Sequence, residues 1–470
     1  MTRLLVVGGG ITGLAAAWEG IQRGAEVTVV EASGRFGGKL VTEHVDGLTI
    51  EHGPDAVVAY RPAALALAAE VGLGEEIVEV GPDRSVWLRA DGRLHLIPAG
   101  MGMVLPTRLG PFIGTSILSW RHKLRAGLDL VLPRRLGPED VAIGDFLRAR
   151  LGDGIVRRFA DPMVGGIYGA SVDDLSLDAV LPSLRANERD HRSLLMAALT
   201  QGRAARRSAV ALGGDSARGP SSPFRSLARG LGSLPDAVVA RLAEGGADLR
   251  LARHVARLTP GATTTVEYAD GTVEETDAVI LAGGATSSAY LLAQHAPAAA
   301  AALRAVRHAS TVVITLAYDA SAFEAPVTSH GWLEAGPAPV SGVTVSSAKW
   351  TGRAPAGMVL LRAFVPDRVG SLAQAPEAEI LAAVTAHVAK VLHARRAPGL
   401  TRLTRWSDVM PKYTVGHLDR VAAVDQALAA YPTWQVAGSA LRGVGIPDCI
   451  SDGRRAAAAV LTANERSVRR

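Results

Sequence analysis

Three glycines near the start of the chain, Gly8, Gly10 and Gly13, constrain its fold more than any other feature. They follow the apolar run of residues 4–7, which suits a buried parallel strand, and they precede residues 14–18, which are good helix formers. Glycine allows a tight turn, close approach of a pyrophosphate to the backbone, and close packing of the helix on the strand. The helix N-terminus also favours negative charge. This context predicts a dinucleotide site, whereas three glycines alone would fit an ordinary turn equally well.

Glu31 supports the dinucleotide prediction. It ends a second apolar run, residues 27–31, at the expected interval of about 20 residues after the glycines. A carboxylate at this position can bind a ribose hydroxyl and disfavours a 2′-phosphate.

Three further glycine segments distinguish a flavin from a nicotinamide cofactor. The pair Gly37 and Gly38 lets a second backbone segment approach the dinucleotide, and Lys39 adds positive charge near the phosphates. Residues 51–55 form a turn in which proline fixes φ and glycine leaves room for a ligand. Residues 437–448 form a strand and a glycine loop before a helix whose N-terminus can stabilise negative charge on a flavin ring. Together these elements predict FAD.

Signals of the nucleotide-binding fold occur in three separated segments: up to about residue 85, at 249–284, and from Trp434 onward. We predict that one sheet is assembled from all three. The fold class is therefore α/β, with a discontinuous Rossmann-like FAD-binding domain, a mixed-sheet substrate domain and a helical insert. The predicted boundaries are 1–85, 221–288 and 408–470 for the FAD-binding domain, 98–211 for the helical insert, and 86–97 and 289–407 for the substrate-binding domain. Residues 212–223 are polar and rich in Gly, Pro and Ser, which indicates a loop or a disordered segment.

Composition excludes several classes of protein. Of the 470 residues, 48% are hydrophobic and 20% are charged, which excludes a wholly disordered chain. The net charge of +5 is spread along the sequence without an aromatic and basic platform, which is typical of a solvated, arginine-rich surface. An acidic small substrate or an acidic protein partner is the alternative, and nucleic acid is not expected. The histidines are scattered, and no metal site is expected. Cys449 is the single cysteine, which suits a reducing compartment, and we predict a cytoplasmic location.

The membrane candidate in the sequence is the apolar segment 101–132, which also contains Arg108, Arg121, Lys123 and Arg125. Proline, glycine and charged residues interrupt it, so we predict no transmembrane helix. Packed helices around a substrate cavity are the preferred interpretation, with peripheral membrane contact as the alternative.

With these features in view, the chain resembles the protoporphyrinogen/coproporphyrinogen oxidase family within the amine-oxidase-like flavoproteins. The Gly-Ile-Tyr-Gly and Val-Gly-Ile-Pro-Asp-Cys-Ile segments look specific to the porphyrinogen branch, and the N-terminal segments are shared by many flavin oxidases. The similarity is closest to soluble bacterial coproporphyrinogen III oxidases. The matching segments, which span almost the whole chain, are residues 8–13, 30–33, 35–39, 53–55, 165–169, 346–350, 413–417 and 443–449.

The resemblance implies which residues contact FAD. Ser439 departs from the acid that many flavoproteins place after the preceding glycine, so contacts of Ser439 with the phosphate and ribityl chain are not assigned. The implied FAD-binding residues are Gly8, Gly9, Gly10, Ile11, Thr12, Gly13, Glu31, Ala32, Gly38, Lys39, Gly53, Pro54, Asp55, Ala56, Val255, Trp406, Gly438, Val444, Gly445 and Ile446.

The resemblance also implies the chemistry. A porphyrinogen loses hydrogen to a flavin, and oxygen accepts the electrons and becomes hydrogen peroxide. Such a reaction requires the substrate to be held close to the flavin with water excluded. No catalytic residue is assigned, because His417 is the one candidate base and a structural role fits it better. The implied substrate-binding residues are Ile167, Tyr168, Gly169, Lys349, Trp350 and Arg362.

Three alternatives stay open at this stage. The chain could oxidise protoporphyrinogen IX instead of coproporphyrinogen III, or it could be an amine or carotenoid oxidase on the same scaffold. It could also be a porphyrin carrier without chemistry of its own. For either a carrier or an oxidase, a transient contact with a ferrochelatase is a further expected interaction.

Overall fold

The computed structural model describes residues 1–83, 85–211, 222–366 and 372–468. Apart from Ser222 and Pro223, the loop or disordered segment predicted at residues 212–223 lies outside the described residues.

The strands are β1 (Arg3–Val7), β2 (Glu26–Val30), β3 (Thr42–Val45), β4 (Leu48–Glu51), β5 (Val57–Val58), β6 (Ile77–Glu79), β7 (Val86–Ala90), β8 (Arg93–Leu96), β9 (Phe224–Leu227), β10 (Asp248–Arg250), β11 (Val255–Thr259), β12 (Thr264–Tyr268), β13 (Val273–Thr276), β14 (Ala278–Leu281), β15 (His308–Asp319), β16 (Gly331–Glu334), β17 (Gly342–Val345), β18 (Met358–Pro366), β19 (Leu400–Pro411) and β20 (Trp434–Val436).

Along the chain, runs of several α-helices follow runs of several strands. They are α1 (Ile11–Gln22), α2 (Ala63–Glu70), α3 (Leu109–Gly114), α4 (Trp120–Gly127), α5 (Ile143–Leu151), α6 (Asp153–Ile155), α7 (Gly166–Tyr168), α8 (Leu177–Val180), α9 (Pro182–His191), α10 (Leu194–Ala211), α11 (Ser233–Glu244), α12 (Ala285–Leu292), α13 (Pro297–Arg304), α14 (Ser346–Lys349), α15 (Glu377–Leu392), α16 (His417–Leu428) and α17 (Ile446–Val468). Within the described residues, no helix is both long and apolar enough to cross a membrane.

The chain divides into two compact units. Their segments are Met1–Glu79, Pro223–Val306 and Leu418–Arg470 for unit 1, and Val80–Ser222 and Arg307–His417 for unit 2. The segment predicted as a helical insert lies within unit 2. Helices α12 and α13 lie in unit 1, because Ala289 and Leu303 pack in one apolar cluster with Leu5 of β1 and Val279 of β14.

Unit 1 is built on a five-stranded parallel sheet with the strand order β10-β2-β1-β14-β20. Its strands come from all three segments in which the sequence shows nucleotide-binding signals, so the prediction of one sheet from separated segments is confirmed. Strand β1 is central and its interior residues are buried, as its apolar run predicts. Helix α1 packs closely on α17, where a Cβ at Gly453 would lie 2.2 Å from the carbonyl oxygen of Thr12.

Unit 2 contains a seven-stranded mixed sheet with the strand order β19-β15-β18-β17-β16-β7-β8. Strands β7 and β16 are parallel, and the other pairs are antiparallel. One face of the sheet is apolar and packs on α15 through Ile380, Val384 and Val388. The predicted mixed-sheet region with long strands near residues 311–318 and 358–365 is therefore confirmed.

Helices dominate the first segment of unit 2, as the sequence predicts. A π-helix spans Val156–Gly165 and contains Pro162. Because proline has no N–H to donate, Pro162 cannot make the hydrogen bond to the carbonyl four residues earlier that an α-helix requires. This gives a physical reason for the wider turn of the π-helix. The π-helix leads into α7 and Gly169, which has a φ of 59°. Only a residue without a Cβ adopts this left-handed conformation readily, so the Gly-Ile-Tyr-Gly segment ends the helix at its last glycine.

Candidate functional site

The glycine loop after β1 has the shape that dinucleotide binding requires. Gly8 has a φ of 110°, and a Cβ there would lie 2.7 Å from the carbonyl carbon of Ala282. A Cβ on Gly13 would lie 1.9 Å from the carbonyl oxygen of Gly8, so Gly13 permits the close packing of α1 on the loop. At Gly10, by contrast, no atom of the described residues outside its own helix and chain neighbours lies within 4 Å of a Cβ. The outer side of the loop is therefore open at the N-terminus of α1, where an anion binds favourably.

Glu31 lies against this loop. One of its carboxylate oxygens accepts a hydrogen bond from the backbone N–H of Gly9 at 2.7 Å, and the other accepts one from the N–H of Ser33 at 2.8 Å. Both oxygens keep further lone pairs that can accept hydrogen bonds from ribose hydroxyls. The segment after β10 runs beside Glu31, because the N–H of Arg253 donates to the carbonyl oxygen of Glu31 at 2.9 Å. This contact brings Val255, two residues further on, to the same side of unit 1.

The Gly37–Gly38 segment lies against the glycine loop. The N–H of Gly37 donates to the carbonyl oxygen of Gly9 at 2.8 Å, and a Cβ on Gly38 would lie 3.2 Å from the Cα of Gly10. The φ angles of Gly37 and Gly38 are 96° and 57°. The backbone of Gly53 is also close to this segment, because a Cβ added to Gly53 would lie 1.9 Å from the carbonyl oxygen of Lys39. Glycine is therefore required where these backbone segments meet.

Lys39 and Cys449 bring two titratable groups into the interior next to the loop. Burial lowers the pKa of Lys39 below its usual range. Burial also raises the pKa of Cys449 to about 11, although its contact with Thr12 and the charge of Lys39 oppose the shift. The Cys449 thiol is consequently protonated and unreactive at neutral pH.

The returning C-terminal segment forms the other side of the candidate site. Gly438 has a φ of 128°, and its N–H donates to the buried carboxylate of Asp452 at 2.9 Å. Gly443 has a φ of 126°, and a Cβ there would collide with the side chain of Asp448 in the first turn of α17. Asp448 forms an ion pair with Arg61. Neither Asp452 nor Arg61 belongs to a segment that the sequence pattern marks, and the Arg61–Asp448 pair joins residues that are distant in the sequence.

The residues of unit 1 fit a flavin dinucleotide on structural grounds. The open space at Gly10, the Glu31 carboxylate and the N-terminus of α17 match a pyrophosphate, a ribose and an electron-rich ring, respectively. Within the described residues, no group of three or more His, Cys, Asp and Glu side chains is placed to hold a metal ion. Most of the predicted FAD-binding residues lie in unit 1, and Trp406 lies in unit 2.

The first group of predicted substrate-binding residues follows the π-helix of unit 2. Ile167 is half exposed, and the ring of Tyr168 lies 6.1 Å from the ring of Tyr413. Tyr413 in turn stacks on His417 with ring centroids 3.8 Å apart. His417 is fully buried, which agrees with the structural role favoured for it from the sequence.

The second group lies on α14 and β18 of unit 2. Lys349 ends α14, and its Nζ lies 5.1 Å from the centroid of the Trp350 ring. Trp350 and Arg362 are both buried, and the guanidinium of Arg362 lies 5.3 Å from the ring of Phe364. Helix α14 is held against β18 by a hydrogen bond from the N–H of Leu360 to Ser347. The structure thus brings Lys349, Trp350 and Arg362 to adjoining elements.

A cavity of about 1020 Å³ in unit 2 is a separate feature. Its charged side chains form ion pairs, for example Arg89 with Glu334 and Arg148 with Asp173. None of the predicted substrate-binding residues lines it. The cavity therefore does not coincide with the predicted substrate site.

The fold of unit 1 and its glycine loop define a dinucleotide-binding protein of the doubly wound α/β type. The sequence matches the family described as flavin containing amine oxidoreductase over residues 11–461. It is 56% identical to coproporphyrinogen III oxidase of Propionibacterium freudenreichii, over 98% of this chain and 91% of the relative. It is 31% identical to coproporphyrinogen III oxidase of Bacillus subtilis, over 98% of both chains. The chain therefore belongs to the flavin-containing amine oxidoreductase family and is an oxidoreductase with a flavin cofactor.

The structural comparison agrees with this membership. The crystal structure of a protein of Exiguobacterium sp. 255-15, provisionally assigned as a protoporphyrinogen oxidase, matches with a TM-score of 0.84 and 30% identity and covers 99% of both chains. The α/β fold predicted from the sequence and the resemblance to the porphyrinogen oxidases are both confirmed.

Proposed function

We propose that this protein is a cytoplasmic, FAD-dependent coproporphyrinogen III oxidase of haem biosynthesis. It converts coproporphyrinogen III to coproporphyrin III, and molecular oxygen accepts the electrons and becomes one hydrogen peroxide for each pair of hydrogens removed. The observation that carries the proposal is the 56% identity, over almost the whole chain, to the coproporphyrinogen III oxidase of P. freudenreichii. The geometry of unit 1 supports it, because the glycine loop and Glu31 suit a dinucleotide with a free ribose.

In this proposal FAD is held by residues of unit 1. The open loop at Gly10 binds its pyrophosphate, Glu31 binds its adenosine ribose, and the α17 N-terminus favours negative charge on its ring. When bound, the flavin removes hydrogen from the substrate and transfers the electrons to oxygen. The predicted residues of unit 2 bind and orient the porphyrinogen. Their aromatic rings suit a flat macrocycle, and Lys349 and Arg362 suit its carboxylates.

The chain works chiefly by positioning in this proposal. His417 is buried and stacked on Tyr413, so it is not exposed to accept a proton from a substrate. Holding the reacting carbon in place and excluding water can together lower a barrier by several kcal/mol, about 7 or more in favourable cases.

An anaerobic experiment tests the proposal and separates the alternatives. The purified flavoprotein is mixed with coproporphyrinogen III, with protoporphyrinogen IX and with a primary amine, and flavin absorbance is followed. We expect the flavin to be bleached fastest by coproporphyrinogen III. Faster bleaching by protoporphyrinogen IX or by the amine would show that this compound, and not coproporphyrinogen III, is the preferred substrate. A flavin that stays oxidised with the amine and with every porphyrinogen, in a protein that still binds coproporphyrin III, would instead favour a carrier.

A specific observation favours peripheral membrane contact through unit 2. Eight large apolar side chains between residues 103 and 131 are exposed, and Trp120, Leu124 and Leu128 lie four residues apart on one side of the α4 segment. We call this set the apolar surface. Its members are Met103, Leu109, Ile113, Trp120, Leu124, Leu128, Leu130 and Val131.

The charge around the apolar surface suits anionic lipid. Residues 101–138 contain six lysine and arginine residues, and Asp129 is their single acid. Asp129 is buried and paired with Arg150, so it adds no surface charge. An exposed apolar patch with basic neighbours is typical of a peripheral membrane site.

Vesicle co-sedimentation tests this contact. We expect the flavoprotein to bind vesicles that contain phosphatidylglycerol and not vesicles of phosphatidylcholine, and we expect Leu124→Asp to abolish the binding. Leu418→Asp is the matched control, because Leu418 is half exposed but lies in unit 1. Equal binding by the Leu124 and Leu418 variants would contradict the assignment. We also propose that the product passes directly to a ferrochelatase. Insertion of iron into the product at a rate faster than release of the product into solution would support this transfer.

A further inference from the structure

We infer that Arg402 is a further substrate-binding residue, which acts together with Arg362 as a pair of guanidinium groups for two carboxylates of one tetrapyrrole. The inference rests on the proposed function, since it requires a substrate with several carboxylates. It adds a residue on β19 that the sequence did not single out.

The strand register places Arg402 and Arg362 in one row across the sheet of unit 2. Strand β15 lies between β18 and β19, and Thr315 is paired with Arg362 on one side and with Arg402 on the other. Arg362 is also paired with Thr344 of β17. Directly paired residues of antiparallel strands point to the same face. Arg402, Thr315, Arg362 and Thr344 therefore form a continuous polar row on one face.

The opposite face of these strands is the apolar core. Ile314 and Leu361, which neighbour the row in sequence, are fully buried in the cluster that includes α15. Leu403 packs against the same cluster. Arg405 also lies on that side, and its guanidinium donates to the carbonyl oxygens of Ala373 and Ala375 at 2.6 Å each. Side chains alternate between the two faces along β19, so Arg402 and Arg405 lie on opposite faces of the sheet.

The face that carries the polar row has further groups that suit a flat, acidic ligand. Thr404 and Trp406 follow Arg402 at intervals of two residues on β19, and Phe364 follows Arg362 at the same interval on β18. The Phe364 ring lies 5.3 Å from the Arg362 guanidinium. Aromatic faces suit a macrocycle, and planar guanidinium groups suit carboxylates.

The spacing of the two arginines suits two carboxylates on different pyrrole rings. Arg402 and Arg362 are separated by two strand spacings, about 10 Å between backbones. Arg362 is buried, whereas Arg402 is partly exposed, and one of its contacts is a hydrogen bond that it donates to the neighbouring Thr401 carbonyl at 3.1 Å. A local bond of this kind can be exchanged for a charge-assisted bond to a carboxylate. Arg402 is consequently the accessible member of the pair.

Steady-state kinetics of Arg402→Gln with coproporphyrinogen III test the inference. We expect KM to rise about tenfold with kcat changed less than twofold, because a charge-assisted hydrogen bond to bound substrate is lost. The dissociation constant for the product coproporphyrin III, measured by fluorescence titration, should rise by a similar factor. Arg402→Lys should show a smaller increase, since it keeps the charge but loses the bidentate geometry.

Arg405→Gln is the matched control on the same strand. It removes the same chemical group from the opposite face, so it should lower thermal stability and leave KM and product affinity within twofold of wild type. FAD content is measured for each variant to confirm folding. Unchanged KM and product affinity in Arg402→Gln, with an active wild type, would overturn the inference alone. A wild-type flavin that coproporphyrinogen III does not reduce would overturn the proposed function as well.

Discussion

The carboxylate of Glu31 accepts a hydrogen bond from the backbone N–H of Gly9 at 2.7 Å. This bond joins the end of β2 to the glycine loop that follows β1, so the acid that we propose to bind the ribose and the loop that we propose to bind the pyrophosphate form one hydrogen-bonded element. An element of this kind needs little reorganisation when the dinucleotide binds, which favours affinity.

Replacement of Glu31 by alanine is expected to weaken FAD binding about tenfold or more. The variant loses both the ribose contact and the support of Gly9, and hydrogen bonds to charged groups contribute about 1.5–3 kcal/mol each. Reconstitution of the apoprotein with FAD measures the change. Glu19→Ala is the control, because Glu19 pairs with Arg23 on the surface of α1. Equal losses in both variants would contradict a specific role for Glu31.

Substitutions at Gly10 and Gly13 are expected to have different effects. Gly10→Val should leave the protein folded but without FAD, because the new side chain enters space that is open in the structure and is needed by the pyrophosphate. Gly13→Ala should destabilise unit 1, because its Cβ would collide with the Gly8 carbonyl. Circular dichroism and flavin absorbance measure the two effects. Gly34→Ala, at an open position outside the loop, is the control. A Gly10→Val variant with normal FAD content would refute the assignment.

The local geometry of the glycine loop could be predicted from the sequence. Gly8, Gly13 and Glu31 occur at spacings that a strand, a turn and a helix impose on one another, so their arrangement follows from short-range geometry. The three-segment sheet was also predictable, since each strand is an apolar run bounded by glycine or charge.

Pairings between distant segments could not be predicted in the same way. Arg402 and Arg362 share a row only because of the register of β15 with both neighbours, and a slip of one residue would move Arg402 to the other face. Asp452 binds the N–H of Gly438 because α17 returns beside β20, and no local pattern encodes this contact. The π-helix at Val156–Gly165 likewise depends on packing around Pro162 as well as on helical periodicity.

Cys449 is expected to make stability depend on pH in the alkaline range. Its folded-state pKa of about 11 exceeds the reference value of 9.0, so the thiol favours folding below pH 9 and loses this contribution as pH rises toward 11. The shift corresponds to about 3 kcal/mol at most. Urea unfolding of wild type and Cys449→Ala at pH 8 and pH 11 should show a smaller loss in the variant. Equal losses in the two proteins would contradict the assignment.

The thiol of Cys449 is also expected to resist modification in the native protein. It is buried and is the only cysteine, so thiol reagents report on this site alone. Mass spectrometry should find the native protein unmodified by iodoacetamide at pH 8 after a time that suffices to label the urea-unfolded chain. Labelling at the same rate in both states would show that the site opens readily.

The buried ion pair of Asp129 and Arg150 is expected to be essential for the stability of unit 2. Both side chains are fully buried, and the carboxylate also accepts hydrogen bonds from the hydroxyl of Ser193 at 2.6 Å and the N–H of Leu195 at 2.9 Å. Arg150 also pairs with the buried Glu188, so Arg150→Ala should lower the free energy of unfolding by about 3–5 kcal/mol because it leaves both carboxylates buried without their cation. Urea unfolding followed by the fluorescence of tryptophans measures the loss. In a double-mutant cycle with Asp129→Ala, the combined loss should be smaller than the sum of the single losses, since the second substitution removes one of the two uncompensated charges. Additive losses would show that the two residues stabilise unit 2 independently of each other.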